Sequence, residues 1–399
     1  MAEMASVPGT SATAGDLLAL LRSGAAATRS DLRRVTGLSR SAVVSRVNAL
    51  ADAGLVLVGA ELPSTGGRPP GSLVFNTDAG TVLAVAIGRS RSQVAVFDLG
   101  GRELGSSAVD HEVGAGPEAV MPVVATQLRT LLSDDMPPVL GVGLSLPGTV
   151  DPVRAVSVDT PVMAGWDGVE LAPYLADLTR APLIVAGDTD ILARSERRDG
   201  HATRYRDLLV VKASTGLGLG IIADGRIVSG SRGGAGEIGH TKVAAAAGRP
   251  CRCGAIGCVE TVAGGWALVA ALQAEGRPIG HIRDLVALAV AGAPDAKQLL
   301  RESARQLGEV LAVAINLLNP QVVVLGGDMA AAFDVYAAGV RESVYALSTA
   351  LATSDLQVLP STYGDRAGLV GCAVAALDEV LSPAAVDRRL RGAGSGGTR

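Results

Sequence analysis

Apolar positions follow two different rhythms along this chain, and each rhythm marks a region. Over 16–22, Leu17, Leu18, Leu20 and Leu21 form one apolar face, which predicts a helix. A second short helix carries Leu32 and Val35, with Ser30 as its expected N-cap. Gly37, Leu38 and Ser39 read as a turn, and Ser39 is suited to cap a helix over 40–53. In that helix Val43, Val47 and Leu50 share one face at i, i+4, i+7, while Arg40, Ser41, Val44, Ser45 and Asn48 share the other. Gly54 ends it from the C′ position. Segments 55–58 and 72–75 then pair as a hairpin.

Beyond Thr81 the period shifts to that of strands. Runs 82–87, 93–97 and 104–109 are strands, with Gly100-Gly101 as a hairpin turn. A helix over 117–132, a buried strand over 139–144, a strand over 183–186 and a helix from about Ile191 follow. Strands at 208–212 and 218–222 open a second unit. It continues with a long helix over 299–318, ended by Asn319-Pro320, and a strand over 321–325 that runs into Gly326-Gly327. Two halves of hairpin-then-helix predict a duplicated α/β body with a cleft between its lobes. The expected divisions are 1–13 as a disordered N-terminus, 14–76 as a winged helix-turn-helix, 80–187 as a smaller α/β lobe, 188–385 as a larger lobe whose last helix can return to the smaller one, and 386–399 as a flexible tail.

Composition narrows the class. The chain has 399 residues, 48% of them hydrophobic, which is enough for two or three domains with sizeable cores. No stretch reads as a membrane-spanning helix and no basic leader with a cleavage site is seen, so neither a membrane partner nor export is expected. A few cysteines clustered at metal spacing fit a reducing cytoplasm better than a disulfide scaffold. The net charge of −4 argues against a wholly basic nucleic-acid protein, but the charge is uneven. Seven arginines face three acids between positions 22 and 68, giving that segment +4 and leaving −8 elsewhere. A basic end on an acidic body points to double-stranded DNA contacted by that end. The helix over 40–53 would present short polar and basic side chains to a major groove. Arg68, in Gly66-Gly67-Arg68-Pro69-Pro70, would enter a minor groove from the wing; the alternative for Arg68 is a solvated surface loop.

The densest chemistry lies in 236–260. Three of the four cysteines, Cys251, Cys253 and Cys258, fall there with His240 just upstream. Three thiolates and one imidazole suit a closed tetrahedral zinc site with no position for catalytic water. Glu237 and Glu260 flank these ligands, so the metal would fix two acids in place. Reduced thiols in a core are the alternative.

This run resembles the signature of the ROK family of repressors, open reading frames and sugar kinases, and the resemblance extends over about 15–385. It implies an actin-like, sugar-kinase-type fold. It also implies sugar contacts from Asp188, Glu237, His240 and Glu260, and zinc held by His240, Cys251, Cys253 and Cys258. Asp188 matches the family's catalytic base, Ser214–Gly220 its second phosphate loop, and Gly326-Gly327 its adenosine-side step. The family's regulators carry a similar winged helix with a Gly-Arg-Pro step. The chain departs from the kinases where they carry Asp-x-Gly-Gly-Thr: here Ala86 replaces the acid and Arg89 the second glycine. Without an acid for magnesium and a glycine for close backbone approach, the kinase is expected to be degenerate and Asp188 a vestigial base. Val162 and Gly187 replace two asparagines on the sugar side.

The expectation is therefore a DNA-binding repressor of carbohydrate genes. A sugar or sugar-phosphate effector would control it, and a homodimer or homotetramer would bind a two-fold operator. The rivals are an active ATP-dependent sugar kinase with an appended DNA-binding domain, and an effector-independent DNA-binding dimer.

Overall fold

The computed structural model describes residues 12–61, 71–151, 154–158, 163 and 165–395. The chain opens with α1 (Ala14–Arg22), α2 (Arg29–Thr36) and α3 (Arg40–Asp52), followed by the antiparallel pair β1 (Val56–Glu61) and β2 (Gly71–Phe75). Short polar residues set these helix starts. Thr13 and Asp16 form a capping box on α1, and Ser39 accepts the Ala42 N–H at the start of α3. On α2 the cap is Thr28 and not Ser30. Thr28 Oγ1 accepts the Asp31 N–H while the Asp31 carboxylate closes back on the Thr28 N–H, each at 3.1 Å, so Ser30 lies inside the helix. Gly54 takes a left-handed φ of 71° after the Ala53 C-cap of α3, where a side chain would be strained. Arg68 and the tip of the expected wing lie outside the described residues.

The body repeats one plan twice. The first half runs β3 (Thr81–Ile87), β4 (Arg91–Asp98), β5 (Glu103–Asp110), α4 (Pro117–Leu131) and β6 (Val139–Leu146). The small elements β7 (Val150–Asp151), β8 (Val156–Ser157) and α5 (Ala172–Leu175) follow, and then β9 (Leu183–Gly187) and α6 (Asp188–Arg198). The second half runs β10 (Leu208–Ala213), β11 (Leu217–Ala223), β12 (Arg226–Ile227), α7 (Glu260–Ala263), α8 (Gly265–Ala274), α9 (Ile282–Val290) and α10 (Pro294–Leu318). It ends with β13 (Val322–Gly326), α11 (Phe333–Leu347), α12 (Ala350–Thr353), β14 (Gln357–Pro360), α13 (Ala367–Val380) and α14 (Pro383–Ser395). The five-stranded sheets have equivalent orders, β5-β4-β3-β6-β9 and β12-β11-β10-β13-β14. In each, an antiparallel meander is extended by two parallel strands.

Helices α6 and α13 pair with each other between the sheets, α13 lying on β3 and β6 and α6 on β10 and β11. Bare backbone permits this approach. A Cβ at Gly371 of α13 would stand 2.0 Å from the Ile191 carbonyl oxygen, and one at Gly143 of β6 would stand 2.0 Å from that of Cys372. Helix α6 starts three residues ahead of the expected Ile191, with Gly187 as its N-cap, so Asp188 lies in its first turn.

Two of the expected chain divisions meet ordered structure. Ala12 is buried and Thr13 caps α1, while 1–11 lie outside the described residues. The segment expected as a flexible tail, 386–399, is instead helical as far as Ser395, and 396–399 lie outside the described residues. Helix α14 lies on α1, where Asp387 Oδ1 accepts the Gly15 N–H at 2.9 Å. Arg22 donates to the Leu381 carbonyl at 3.3 Å and stacks on Phe75 at 5.7 Å, so this arginine ties the module to the body. One continuous cluster of buried side chains joins Leu17, Leu18, Val43, Val47 and Leu50 of the N-terminal module to Val82 and Phe97 of the first sheet and Cys372 and Ala376 of α13. Among the described residues no single helix is long and apolar enough to cross a membrane; a bent apolar pair, 364–380 with 383–392, includes the largely buried α13.

Candidate functional site

A cleft of about 900 Å³, open to solvent, lies between the two sheets. Its first wall is the β3–β4 turn, Gly88, Arg89, Ser90 and Arg91, with Pro147 and Gly148 beyond β6. The second wall is the turn from Ser214 to Gly218 between β10 and β11. Asp188, Glu237, His240 and Glu260 all border the cleft, so the four residues expected to contact a sugar share one cavity.

Their surroundings differ. Asp188, at the start of α6, forms an ion pair with Lys212 of β10, which bridges the two halves. Glu237 accepts a hydrogen bond from Thr149 Oγ1 at 3.3 Å, a second bridge. Burial, and then the nearby Asp188 charge, hold the Glu237 carboxyl above the usual carboxylate range. Glu260 is only 4% exposed and is already well supplied with donors. It accepts the Leu217 N–H at 2.9 Å, the Trp266 indole N–H at 2.9 Å and the Arg252 guanidinium at 3.3 Å. Arg252 also stacks on the Trp266 ring at 4.3 Å. A Cβ at Gly216 would stand 2.9 Å from a Glu260 oxygen, so the tight turn and the carboxylate depend on each other.

The cleft also carries groups that the sequence did not single out, His281, Arg283 and Asp328 among them. Ser90 Oγ lies 3.4 Å from His281 Nε2, and His281 Nδ1 accepts the Arg283 N–H at 3.1 Å as the N-cap of α9. Burial, and then the Arg283 charge, depress the His281 pKa. Ser214 Oγ donates to Asp328. Lys212 had a legible signal, being a lysine inside the otherwise apolar run Leu208–Ala213. Arg252, His281 and Arg283 had none, because only folding brings them to the cleft.

Ala86 lies on β3 against α13, where a Cβ at Gly368 would stand 3.1 Å from the Ala86 methyl. Gly187 also has a spatial reason: a Cβ there would stand 2.8 Å from the Gly148 carbonyl oxygen. Trp166 is buried and donates its indole N–H to Ala115 at 2.9 Å. Val162 lies outside the described residues.

His240, Cys251, Cys253 and Cys258 converge with all four ligand atoms within 4.8 Å of one another, a set that can hold a metal ion. Cys251 Sγ is 3.7 Å from His240 Nδ1, and Cys253 Sγ is 3.6 Å from Cys258 Sγ. The other ring nitrogen of His240, Nε2, lies 4.0 Å from Glu237. One imidazole therefore faces the cysteines with one nitrogen and the cleft with the other. Lys242 Nζ donates to Cys258 Sγ at 2.8 Å.

In the N-terminal module, Arg40, Ser41, Val44, Ser45 and Asn48 are all exposed, whereas Val43, Val47 and Leu50 are buried. Helix α3 thus turns its apolar face inward and presents an unobstructed polar one.

A family model described as the ROK family matches residues 82–379. The xylose repressor of Bacillus subtilis (strain 168) is 27% identical over 357 residues, covering 88% of this chain and 91% of the repressor. A solved ROK family transcriptional regulator, described as a homolog of the E. coli MLC protein, superimposes with a TM-score of 0.77 at 26% identity, over 94% of this chain and 98% of its own. A ROK family glucokinase from Streptomyces griseus, solved with glucose and AMPPNP, superimposes with a TM-score of 0.65 at 28% identity, over 74% of this chain and 99% of its own. The chain belongs to the ROK family.

Proposed function

We propose that this member of the ROK family is a DNA-binding transcription regulator, a repressor of carbohydrate genes governed by a sugar or sugar phosphate in the interlobe cleft. The observation that carries this reading is the N-terminal module. Three capped helices and a strand pair leave the polar face of α3 bare, and their apolar face shares a core with the lobe that walls the cleft. We read this module as a winged helix-turn-helix, with α3 as the helix that enters the major groove. The repressor relative aligns over 88% of this chain, whereas the glucokinase alignment leaves about a quarter of it outside.

Three positions argue against phosphoryl transfer in the cleft. Ala86 offers no carboxylate to magnesium, Arg89 occupies the phosphate side, and the base candidate Asp188 is engaged by Lys212. Its remaining groups suit recognition. Asp188, Glu237 and the Nε2 face of His240 can pair with vicinal hydroxyls. The metal would be zinc in a structural role. A tetrahedral zinc with sulfur ligands at about 2.3 Å sets neighbouring sulfurs about 3.8 Å apart, close to the 3.6 Å between Cys253 and Cys258. It would also fix the tautomer of His240 toward the cleft. In a homodimer or homotetramer, a ligand that changes the lobe arrangement would change the spacing of two recognition helices on a two-fold operator.

The test is fluorescence anisotropy on DNA upstream of the protein's own gene and its neighbours, with a panel of hexoses, amino sugars and their 6-phosphates. Binding that one sugar alters supports the reading. Absence of DNA binding refutes it. Binding that no sugar alters favours an effector-independent DNA-binding dimer, a second reading supported by the full hydrogen bonding of Glu260 within the protein.

A further inference from the structure

We infer that the first lobe holds a second ligand site, outside the interlobe cleft, for a small and mainly apolar molecule that carries a hydroxyl group, of the aromatic or cyclic alcohol class.

The site is a cavity of about 500 Å³ between the N-terminal half of α4 and the ends of β4 and β5, bordered by the loop 111–115. Val109, Ala115, Ala119, Val120 and Val123 give it an apolar lining. Two polar atoms break that lining. Ser92 Oγ and His111 Nε2 are both buried, and neither has a hydrogen-bond partner among the described residues. Ser92 is fully buried at alternate spacing with Val94 and Val96, which share a core with Val120 and Val124 of α4. A plain core would carry a third aliphatic side chain there. Buried polar atoms are ordinarily paired, and an unpaired one is costly, so this hydroxyl calls for a partner that arrives with a ligand.

His111 fixes what the partner must offer. Its Nδ1 lies 3.1 Å from the Glu112 carbonyl oxygen. A carbonyl only accepts, so Nδ1 carries the proton and Nε2 of the neutral ring is left as an acceptor. The ligand must donate to Nε2, while the Ser92 hydroxyl can donate or accept. A hydroxyl meets both demands, because it donates once and accepts twice. An ammonium suits the site less well. Both partners at the wall are neutral, and Asp110 and Glu112, which also border the cavity, are exposed to water that screens their charges. A sugar, polar on all sides, does not suit five aliphatic walls.

The cavity also has a route to the interlobe cleft. The His111 N–H donates to the Ser90 carbonyl at 2.9 Å, and the Gly114 N–H to the Arg89 carbonyl at 3.3 Å. Asp110 approaches Arg283 of α9, in the second half, at 3.8 Å. The loop that borders this cavity therefore holds the β3–β4 turn that walls the cleft. A molecule that orders the loop biases that turn, and the two sites are coupled.

The test uses the full-length protein with its metal retained. Saturation-transfer NMR titrations compare phenol, benzyl alcohol and cyclohexanol with toluene and benzylamine, on the wild type, Ser92→Ala, Ala119→Phe and Asp188→Asn. At least one of the three alcohols is expected to bind saturably, about fivefold or more tightly than toluene and benzylamine. Ala119 is exposed enough to carry a larger side chain, and Ala119→Phe should fill the cavity and abolish that binding. Ser92→Ala should bring the preference over toluene to within about twofold. Because Ser92 Oγ has no partner among the described residues, Ser92→Ala is expected to melt no lower than the wild type, so a lost preference cannot be laid to misfolding. Asp188→Asn alters the interlobe cleft and should leave alcohol binding as it was. Alcohols that bind no more tightly than toluene, benzylamine binding more tightly than every alcohol, or a preference kept in Ser92→Ala overturns the assigned chemistry. Binding that survives Ala119→Phe, or that is lost in Asp188→Asn, overturns the location. If none of the probes binds, the inference fails and the sugar reading of the interlobe cleft stands untouched.

Discussion

Glu260 borders the cleft with its carboxylate held by three donors from separate parts of the chain. Its position two residues after the last cysteine singled it out, but not its three donors, because Leu217, Trp266 and Arg252 reach it only in the folded chain. Glu260→Ala strands the Arg252 charge and the Trp266 indole, so a loss of about 3 kcal/mol in denaturant-unfolding stability is expected, with a smaller loss for Glu260→Gln. The candidate metal ligands were legible because their chemistry is written in local spacing, and the fold brings all four side chains together. Cys251→Ser should reduce bound zinc, measured by elemental analysis, from one ion per chain to well below one, and weaken the sugar response of DNA binding. Burial pushes the Cys251 thiol up to about 12, so a metal must displace protons to bind there, and zinc affinity should fall as pH falls.

At the level of elements, periodicity located the strands and helices of both halves, and the misses share a cause. Helix α14 carries little apolar signal beyond Val386 and Leu390; it is held by α1 rather than by its own pattern. Ser30 was a plausible cap by type, but the reciprocal pair of Thr28 and Asp31 prevails. Helix α9 offers a pH test. Its cap, His281, has a folded pKa below the unfolded value of about 6.5. The cap's contribution is therefore full above that value and is lost as pH falls through the lower folded pKa. Melting temperature measured from pH 8 to 5 should decline less steeply in His281→Asn, which caps without titrating. On α3, Asn48→Ala should weaken specific DNA binding by about 1–3 kcal/mol in an anisotropy titration, with the melt unchanged, because Asn48 is exposed.

Across the whole molecule, the two-sheet plan was readable as a repeated hairpin-then-helix pattern, whereas the union of the N-terminal module with the body was not. That union depends on contacts between the two ends of the sequence, which no local pattern records. A Cβ at Gly15 would stand 2.2 Å from the Pro383 carbonyl oxygen. Gly15→Val should therefore push α1 off α14, broaden or split the single calorimetric transition expected of a shared core, and blunt the sugar response more than DNA affinity itself.

The shared core also limits how this protein can be recombined. A designer who grafts residues 1–76 onto a foreign effector body would leave behind α14, which completes α1 from the opposite end of the chain. The transferable unit is discontinuous, the first helices together with the last one. A chimera that exchanges both segments should express as soluble protein where one that exchanges only the first aggregates.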